Sequence, residues 1–208
     1  MQRTLWLAPA FAGFLFVVGV PPSRAQVMTP DELVRSVTQD TLSIIKQQHE
    51  AGTGNAKSVA RLVEAKVVPH FDFTRMTRLA MGRDWRLASA EQQQAVSAQF
   101  KTLLVHTYSA ELANYRDQKI EFIPSRALPE DAEVTVRSVV KQPGGEPVTI
   151  DYALAKEPDG WKVYNVTVDG VSLVITYRDE FASLVRNRGV DGLIQALAAR
   201  NQKNDAAT

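Results

Sequence analysis

Residues 148–168 read VTIDYALAKEPDGWKVYNVTV. Before Pro158-Asp159-Gly160 the apolar residues occupy every second position, and after it Trp161 and Val163 resume the alternation, which is the pattern of two half-buried β-strands joined by a tight turn. The connection is too short for the crossover that parallel strands require. The stretch therefore predicts an antiparallel hairpin.

Two further strands precede this hairpin, because apolar residues again lie two apart upstream of it. They are Ile120 and Phe122, then Val134, Val136 and Val140. Pro143-Gly144-Gly145 supplies another short turn before the strand that begins at Val148. The sequence thus predicts a four-stranded antiparallel meander in which each strand lies beside the next one along the chain.

Helical spacing of apolar residues flanks this region on both sides. Upstream, Thr29 with Pro30 and Glu32 starts a first helix, which Gly52 to Gly54 ends, and a second helix is predicted from Ala56 to Val67. Asp72 caps a short third helix that Gly82 ends, and Ser89 with Gln92 starts a fourth. Downstream, one helix is predicted from Ser172 to about Gly189 and a last one after it. Helices, then strands, then helices is the α+β pattern, so the helices are expected to pack on one face of a twisted sheet.

The two ends of the chain carry different signals. Arg3, an apolar run from Leu5 to Val20 and the small-residue ending Ser23-Arg24-Ala25 predict a cleaved export signal over residues 1–25. An uncleaved membrane anchor is the alternative, but the run is shorter than the roughly 20 apolar residues that span a bilayer. Residues 26–200 are predicted to form one domain, and residues 201–208 a disordered tail.

The amino-acid composition limits which cellular compartment and which classes of partner are expected for this protein. The chain has no cysteine, which excludes disulfides, a lipidated N-terminal cysteine and thiol chemistry, and a bacterial periplasm fits best. Without Arg3 and Arg24, the 24 Lys and Arg residues become 22 against 23 Asp and Glu, so the exported domain is nearly neutral. A nucleic-acid partner would need a strong basic excess.

No assembled catalytic or metal-binding set is recognisable. His49, His70 and His106 lack metal-ligand spacing, and neither a nucleophile elbow nor a glycine-rich phosphate motif occurs. His70 lies two residues from Asp72, which would be able to orient an imidazole, but Asp72 is better explained as a helix cap. An enzyme that uses this pair is kept as an alternative.

Residues 171–181 read VSLVITYRDEF and contain more apolar side chains than one buried stripe of a helix needs. One interpretation is a central, fully buried helix. The other is that the additional face lines a cavity, with the Tyr177 hydroxyl at its mouth and the Arg178 guanidinium available to a phosphate.

These residues resemble a known family. Residues 172–181, preceded by 161–166 and 169–171, are similar to the motif of the MlaC-type toluene-tolerance family of periplasmic phospholipid-binding proteins. Residues 69–73, 79–85 and 100–115 resemble the helical half of that family, and the likeness spans about Thr29 to Leu197.

The resemblance implies a periplasmic carrier that shuttles phospholipid between an outer-membrane lipoprotein complex and an inner-membrane ABC transporter complex with a lipid-binding ring. Such traffic maintains the lipid asymmetry of the outer membrane. The expected protein is not an enzyme, needs no cofactor besides its lipid cargo, and acts most simply as a monomer. The alternative is a periplasmic chaperone or a carrier of lipoproteins or acyl chains, and the identity of the bound molecule separates the two.

A phospholipid carrier needs a deep apolar pocket. Two acyl chains hold about thirty methylenes, and their exposure to water costs on the order of 20 kcal/mol. We expect the pocket between the helices and the sheet, with the headgroup left in water near Arg178. The predicted lining is Val67, Val68, Phe71, Phe73, Met76, Leu79, Phe100, Leu103, Leu104, Tyr108, Val163, Val166, Val171, Val174, Tyr177 and Phe181.

Overall fold

The computed structural model describes residues 28–116, 118–128, 130–142 and 144–207, so the predicted export signal lies outside the described residues. Within them the sheet is an antiparallel meander in the order β1-β2-β3-β4-β5. The strands are β1 (Lys119–Ile123), β2 (Glu133–Lys141), β3 (Val148–Glu157), β4 (Gly160–Val168) and β5 (Val171–Ser172). The predicted topology is confirmed, but the described residues contain five strands and not four.

The additional strand arises from a tight reversal that the sequence analysis interpreted as a helix start. Asp169 and Gly170 both have positive φ angles, of 46° and 83°, and this left-handed turn brings Val171 back to pair with Val168. Ser172 still acts as a cap, since its hydroxyl accepts a hydrogen bond from the Ile175 amide at 3.1 Å. The helix predicted from Ser172 therefore begins later, after one short 3-10 turn at Ile175–Tyr177.

The helices before the sheet begin and end where their capping residues predict. They are α1 (Pro30–Glu50), α2 (Ala56–Lys66), α3 (Phe73–Met81) and α4 (Ala90–Leu112). Thr29 and Glu32 form the predicted reciprocal capping box, with their two hydrogen bonds at 3.2 and 2.9 Å. The Asp72 carboxylate caps α3 by accepting the Arg75 amide at 2.8 Å. These local signals were sufficient because each concerns atoms within one helical turn.

The last helix, α5 (Arg178–Ala207), is interrupted at Gly189, whose φ of 68° and ψ of 179° are not helical. The predicted separation into two helices is thus confirmed. The predicted disordered tail over residues 201–208 is wrong for residues 201–207, because the helix continues to Ala207. Asn201 is buried there and its side-chain amide donates to the Gln99 carbonyl at 2.9 Å.

Among the described residues, three apolar clusters hold the fold together, and only one of these contains strand residues. In that cluster Leu33 and Val34 of α1 pack on one face of the sheet, on Val134, Val136, Leu154, Trp161 and Val163. A second cluster joins α3, α4 and α5. A third joins α1, α2 and α4. The molecule therefore consists of a helical layer with its own core and a sheet attached to it through one face.

Candidate functional site

The face of the sheet that meets the helices is its inner face, and it is covered unevenly. Residues paired across neighbouring strands point to the same side, so three rows can be followed: Val134, Leu154 and Val163; Val136, Tyr152 and Val166; Ser138, Ile150 and Val168. The first row is buried. In the next two rows only the β2 residue is buried, and the following pair, Val140 and Val148, is half-buried.

The inner face and the helical layer thus enclose a wedge, which we call the sheet–helix cleft. Its closed end is the row of Val134, Leu154 and Val163, and its open end lies at Val140 and Val148. Apart from the aromatic rings of Tyr152 and Phe122, the inner-face side chains that are left half-exposed toward the open end are aliphatic. Incomplete cover of contiguous apolar side chains is characteristic of a surface that receives a ligand or a partner.

Part of the open end is a groove of about 250 Å³ between α1 and β1. Both apolar and polar residues line it, namely Thr38, Gln39, Leu42, Ser43, Lys46, Tyr115, Ile120 and Phe122. A wider groove of about 500 Å³ follows the solvent side of α1, from Met28 to Asp40, among mostly polar and charged residues. The first groove is the better candidate because only it reaches the inner face of the sheet.

Most of the predicted lining residues belong to the helical cluster of α3, α4 and α5. They are Phe71, Phe73, Met76, Leu79, Phe100, Leu103, Leu104, Tyr108, Val174, Tyr177 and Phe181. The ring of Phe100 contacts those of Tyr177 and Phe181 at 5.1 Å between centroids, in edge-to-face geometry for both pairs. Phe100, Val174 and Phe181 have no exposed surface. These residues fill the interior of the helical layer.

The remaining predicted residues lie nearer the cleft or at its margins. Val163 and Val166 are on the inner face, where Phe71, already named in the helical cluster, packs against the sheet cluster as well. Val67 and Val68 pack against the cluster of α1, α2 and α4. Val171 pairs with Val168 and so points to the inner face, but it is 56% exposed at the edge of the sheet.

The sequence analysis did not assign several inner-face residues to the site. Ile150, Tyr152 and Val168 were recognised only as strand residues, although the register of β3 and β4, with its bulge between Ala153 and Leu154, places them on the same face as Val163 and Val166. Ile120 and Phe122 were likewise recognised only as a strand. The face shared by these residues was the available signal, since alternate positions of neighbouring strands form one surface.

Two tyrosines supply polar groups within this largely apolar interior. Burial raises the pKa of the Tyr108 hydroxyl to about 12, and the neighbouring Tyr177 adds to the effect. Burial also raises the pKa of Tyr152, an effect that the neighbouring hydroxyls of Ser138 and Thr38 partly offset. Both phenols therefore remain neutral at physiological pH, so neither places a charge next to an apolar ligand.

The predicted headgroup residue already has a partner within the protein. The Arg178 guanidinium donates through Nε and Nη2 to the Leu79 carbonyl, at 3.3 and 2.8 Å. Leu79 lies in the last turn of α3, where carbonyl groups lack helical partners. In this structure Arg178 is thus a cap of α3.

His70 and Asp72, the pair that was kept as a possible acid–base site, can be located in the structure. Asp72 is used as the cap of α3, and burial lowers the pKa of His70, as does the nearby Lys162. Among the described residues, no group of three or more His, Asp or Glu side chains is positioned to hold a metal ion. None of the helices in that part of the chain is both long enough and apolar enough to cross a bilayer.

Comparison with known proteins places this architecture in a family. The model of the MlaC protein family matches residues 35–199. A toluene tolerance protein, ttg2D, of Pseudomonas putida is 25% identical over 178 residues, which are 85% of this chain and 82% of that protein. The intermembrane phospholipid transport system binding protein MlaC of Haemophilus influenzae is 21% identical over 169 residues, 80% and 79% of the two chains.

A solved structure extends the likeness to three dimensions. The phospholipid-binding protein from Ralstonia solanacearum, determined in complex with a phospholipid, superposes with a TM-score of 0.77 at 42% sequence identity. The match covers 86% of this chain and 99% of that one.

Proposed function

Because this chain belongs to the MlaC protein family, we propose that it is a periplasmic carrier that binds a phospholipid and moves it between membranes. The observation that carries the proposal is the sheet–helix cleft, whose apolar inner face is packed at one end and incompletely covered at the other. The phospholipid complex of the Ralstonia solanacearum relative supports phospholipid as the ligand, since that chain is 42% identical and the match covers 99% of its length.

The acyl chains are proposed to lie against the inner face of the sheet, beneath the helical layer. Shielding about thirty methylenes from water is worth on the order of 20 kcal/mol, which a shallow groove cannot provide. The open groove of about 250 Å³ is smaller than sites that bury a drug-sized molecule, which occupy about 300–1,000 Å³. Lipid binding on this face therefore requires the sheet and the helices to move apart.

The proposed lining combines predicted residues with inner-face residues that the sequence analysis did not assign. From the prediction come Phe71, Val163, Val166 and Val171, and the structure suggests adding Ile150, Tyr152 and Val168. The predicted residues of the helical cluster would back this surface and become lining only as the layers separate. The headgroup would stay at the open end, where it remains hydrated.

The wider pathway is also a proposal. The carrier would receive lipid from an outer-membrane lipoprotein complex and deliver it to an inner-membrane ABC transporter complex, as a single free chain in the periplasm. The name of the Haemophilus influenzae relative, a binding protein of an intermembrane phospholipid transport system, supports this arrangement.

The first experiment identifies the cargo. Protein purified without detergent from bacterial periplasm is extracted with organic solvent, and its phosphorus content and lipids are measured by mass spectrometry. We expect phospholipid at close to one molecule per chain. Protein that carries no phospholipid, or that carries acylated protein segments in its place, would contradict the proposal.

A second measurement tests carriage as distinct from binding. Loaded protein is mixed with lipid-free vesicles and the phospholipid that appears in the vesicles is measured over time. A carrier transfers lipid at a rate proportional to protein concentration. Lipid that never leaves the protein would show that the protein binds phospholipid without transferring it and would contradict carriage between membranes.

A further inference from the structure

One polar cluster connects the helical layer to the sheet. The Arg75 guanidinium of α3 donates from Nη2 to Oε1 of Glu133 on β2 at 2.6 Å. The Tyr164 hydroxyl of β4 donates to Oε2 of the same carboxylate at 3.0 Å. The Arg75 guanidinium carbon also lies 3.5 Å from the centre of the Tyr164 ring. One helical residue is thus held by two strands at once, through charge, hydrogen bonding and stacking.

This cluster lies at the closed end of the sheet–helix cleft. Glu133 is next to Val134, which belongs to the buried row of the inner face. Nearby, the Asp72 amide donates to the Val163 carbonyl at 2.9 Å, and Lys162 Nζ donates to the Pro69 carbonyl at 2.9 Å. The polar links that we identify between α3, its preceding segment and the sheet are therefore gathered at one end.

The electrostatics favour a persistent contact at neutral pH. The Arg75 guanidinium, followed by the Tyr164 hydroxyl, lowers the pKa of Glu133, so the carboxylate is ionised in the periplasmic pH range. The side chains of Arg75 and Glu133 are 23% and 54% exposed. Their attraction is consequently open to screening by salt.

The geometry points to a role for Arg75, Glu133 and Tyr164 as positioning residues that set the rate of lipid exchange by holding the sheet closed against the helices. This inference rests on the proposed phospholipid carriage. A contact between two layers exists only while they are together, so its removal shifts the balance toward the separated state by the free energy lost. A contact within one layer exists in both states and cannot shift that balance.

The sheet itself provides a matched control. Arg137 on β2 donates to the two carboxylate oxygens of Asp151 on β3 at 2.6 and 2.8 Å. This pair has the same chemistry and includes a residue of the same strand as Glu133, but it stays within the sheet. The comparison of Glu133→Gln with Asp151→Asn therefore removes equivalent charges from a contact between layers and from a contact within one layer.

The test follows the transfer of a fluorescently labelled phosphatidylethanolamine from loaded protein to unlabelled vesicles. We expect Glu133→Gln to exchange lipid about two- to fivefold faster than wild type, the factor typical of an exposed ion pair. Asp151→Asn should exchange at the wild-type rate. Raising the NaCl concentration to about 0.5 M should accelerate wild type and leave Glu133→Gln nearly unchanged, because the pair to be screened is gone.

Thermal unfolding and lipid content are measured in parallel, since loss of folding would also release lipid. Arg75→Met, which removes both the charge and the stacking on Tyr164, serves as the second variant and should accelerate exchange at least as much. Equal rates in wild type, Glu133→Gln and Arg75→Met, with all three loaded and folded, would overturn the inference. Acceleration of the same size in Asp151→Asn would overturn it too. Absence of phospholipid from wild type would instead refute the proposed function.

Discussion

Replacement of Phe100 by alanine tests whether the helical cluster is solid core or the wall of a cavity. Phe100 has no exposed surface, and its ring contacts both Tyr177 and Phe181 at 5.1 Å between centroids. A fully buried phenylalanine that is truncated to alanine costs about 3–5 kcal/mol, and two aromatic contacts worth about 0.5–1.5 kcal/mol each place this site toward the upper part of that range. For a domain of this size the loss lowers Tm by roughly 6–20 °C.

The assay pairs urea unfolding with a phosphorus measurement of bound lipid. Since Phe100 lies inside the helical layer, we expect Phe100→Ala to lose stability while the folded fraction keeps its phospholipid. Leu87→Ala is the control: Leu87 is 70% exposed, and such surface changes stay within about 0.5 kcal/mol. Near-wild-type stability of Phe100→Ala together with altered lipid content would refute the assignment of this cluster to solid core.

Three further predictions concern the cleft and its surroundings. Cross-linking Leu42→Cys to Phe122→Cys with a short bismaleimide should stop lipid exchange, because both residues line the groove between α1 and β1. As a control, the same reagent joining two neighbouring strands should leave exchange intact. Continued exchange in the Leu42–Phe122 cross-linked protein would mean that the layers do not separate at this groove. Arg178→Ala should lower Tm by removing the cap on the Leu79 carbonyl without changing which headgroups copurify, whereas a changed headgroup composition would support a phosphate contact. The pKa of Tyr108 is raised to about 12, so the stability that this residue contributes is fully present below the unfolded pKa of about 10 and is lost as the pH rises from 10 toward 12. The free energy of unfolding, measured in urea at pH 9 and 11, should therefore fall more in wild type than in Tyr108→Phe. Equal decreases would contradict the burial of this hydroxyl.

The sequence predicted well those features whose cause is local. The capping box at Thr29, the cap at Asp72 and the turn at Pro158-Asp159-Gly160 each depend on atoms a few residues apart, and the structure has all three where the sequence predicts them. The helix past Asn201 was missed because polar composition suggested disorder. A contact with Gln99, far away in the sequence, holds the start of that segment in place.

The location of the cleft was harder to predict from the sequence, because it too depends on contacts between residues that are far apart in the chain. A stripe of apolar residues on α4 predicts that this face is buried, but it does not say whether the neighbour is another helix or a ligand. Phe100 and Leu103 turn out to meet other helices, while the half-buried residues Ile150 and Val168 belong to strands. Strand alternation indicates which side chains of one strand share a face, but only the arrangement of the layers reveals which rows of the inner face are left partly uncovered.

The division into layers explains how this fold can admit a lipid without unfolding. Among the described residues, two apolar clusters are built from the helical layer without strand residues, and the strands are held to each other by their own hydrogen bonds, so each layer keeps internal contacts when the cleft opens. Separating the layers exposes mainly the inner face, and acyl chains that enter would cover the same side chains that the helices leave. The free energy needed to open the cleft is thereby offset by the ligand itself. An empty carrier should close because the helices then cover the inner face, and a loaded carrier should stay open because the acyl chains cover it.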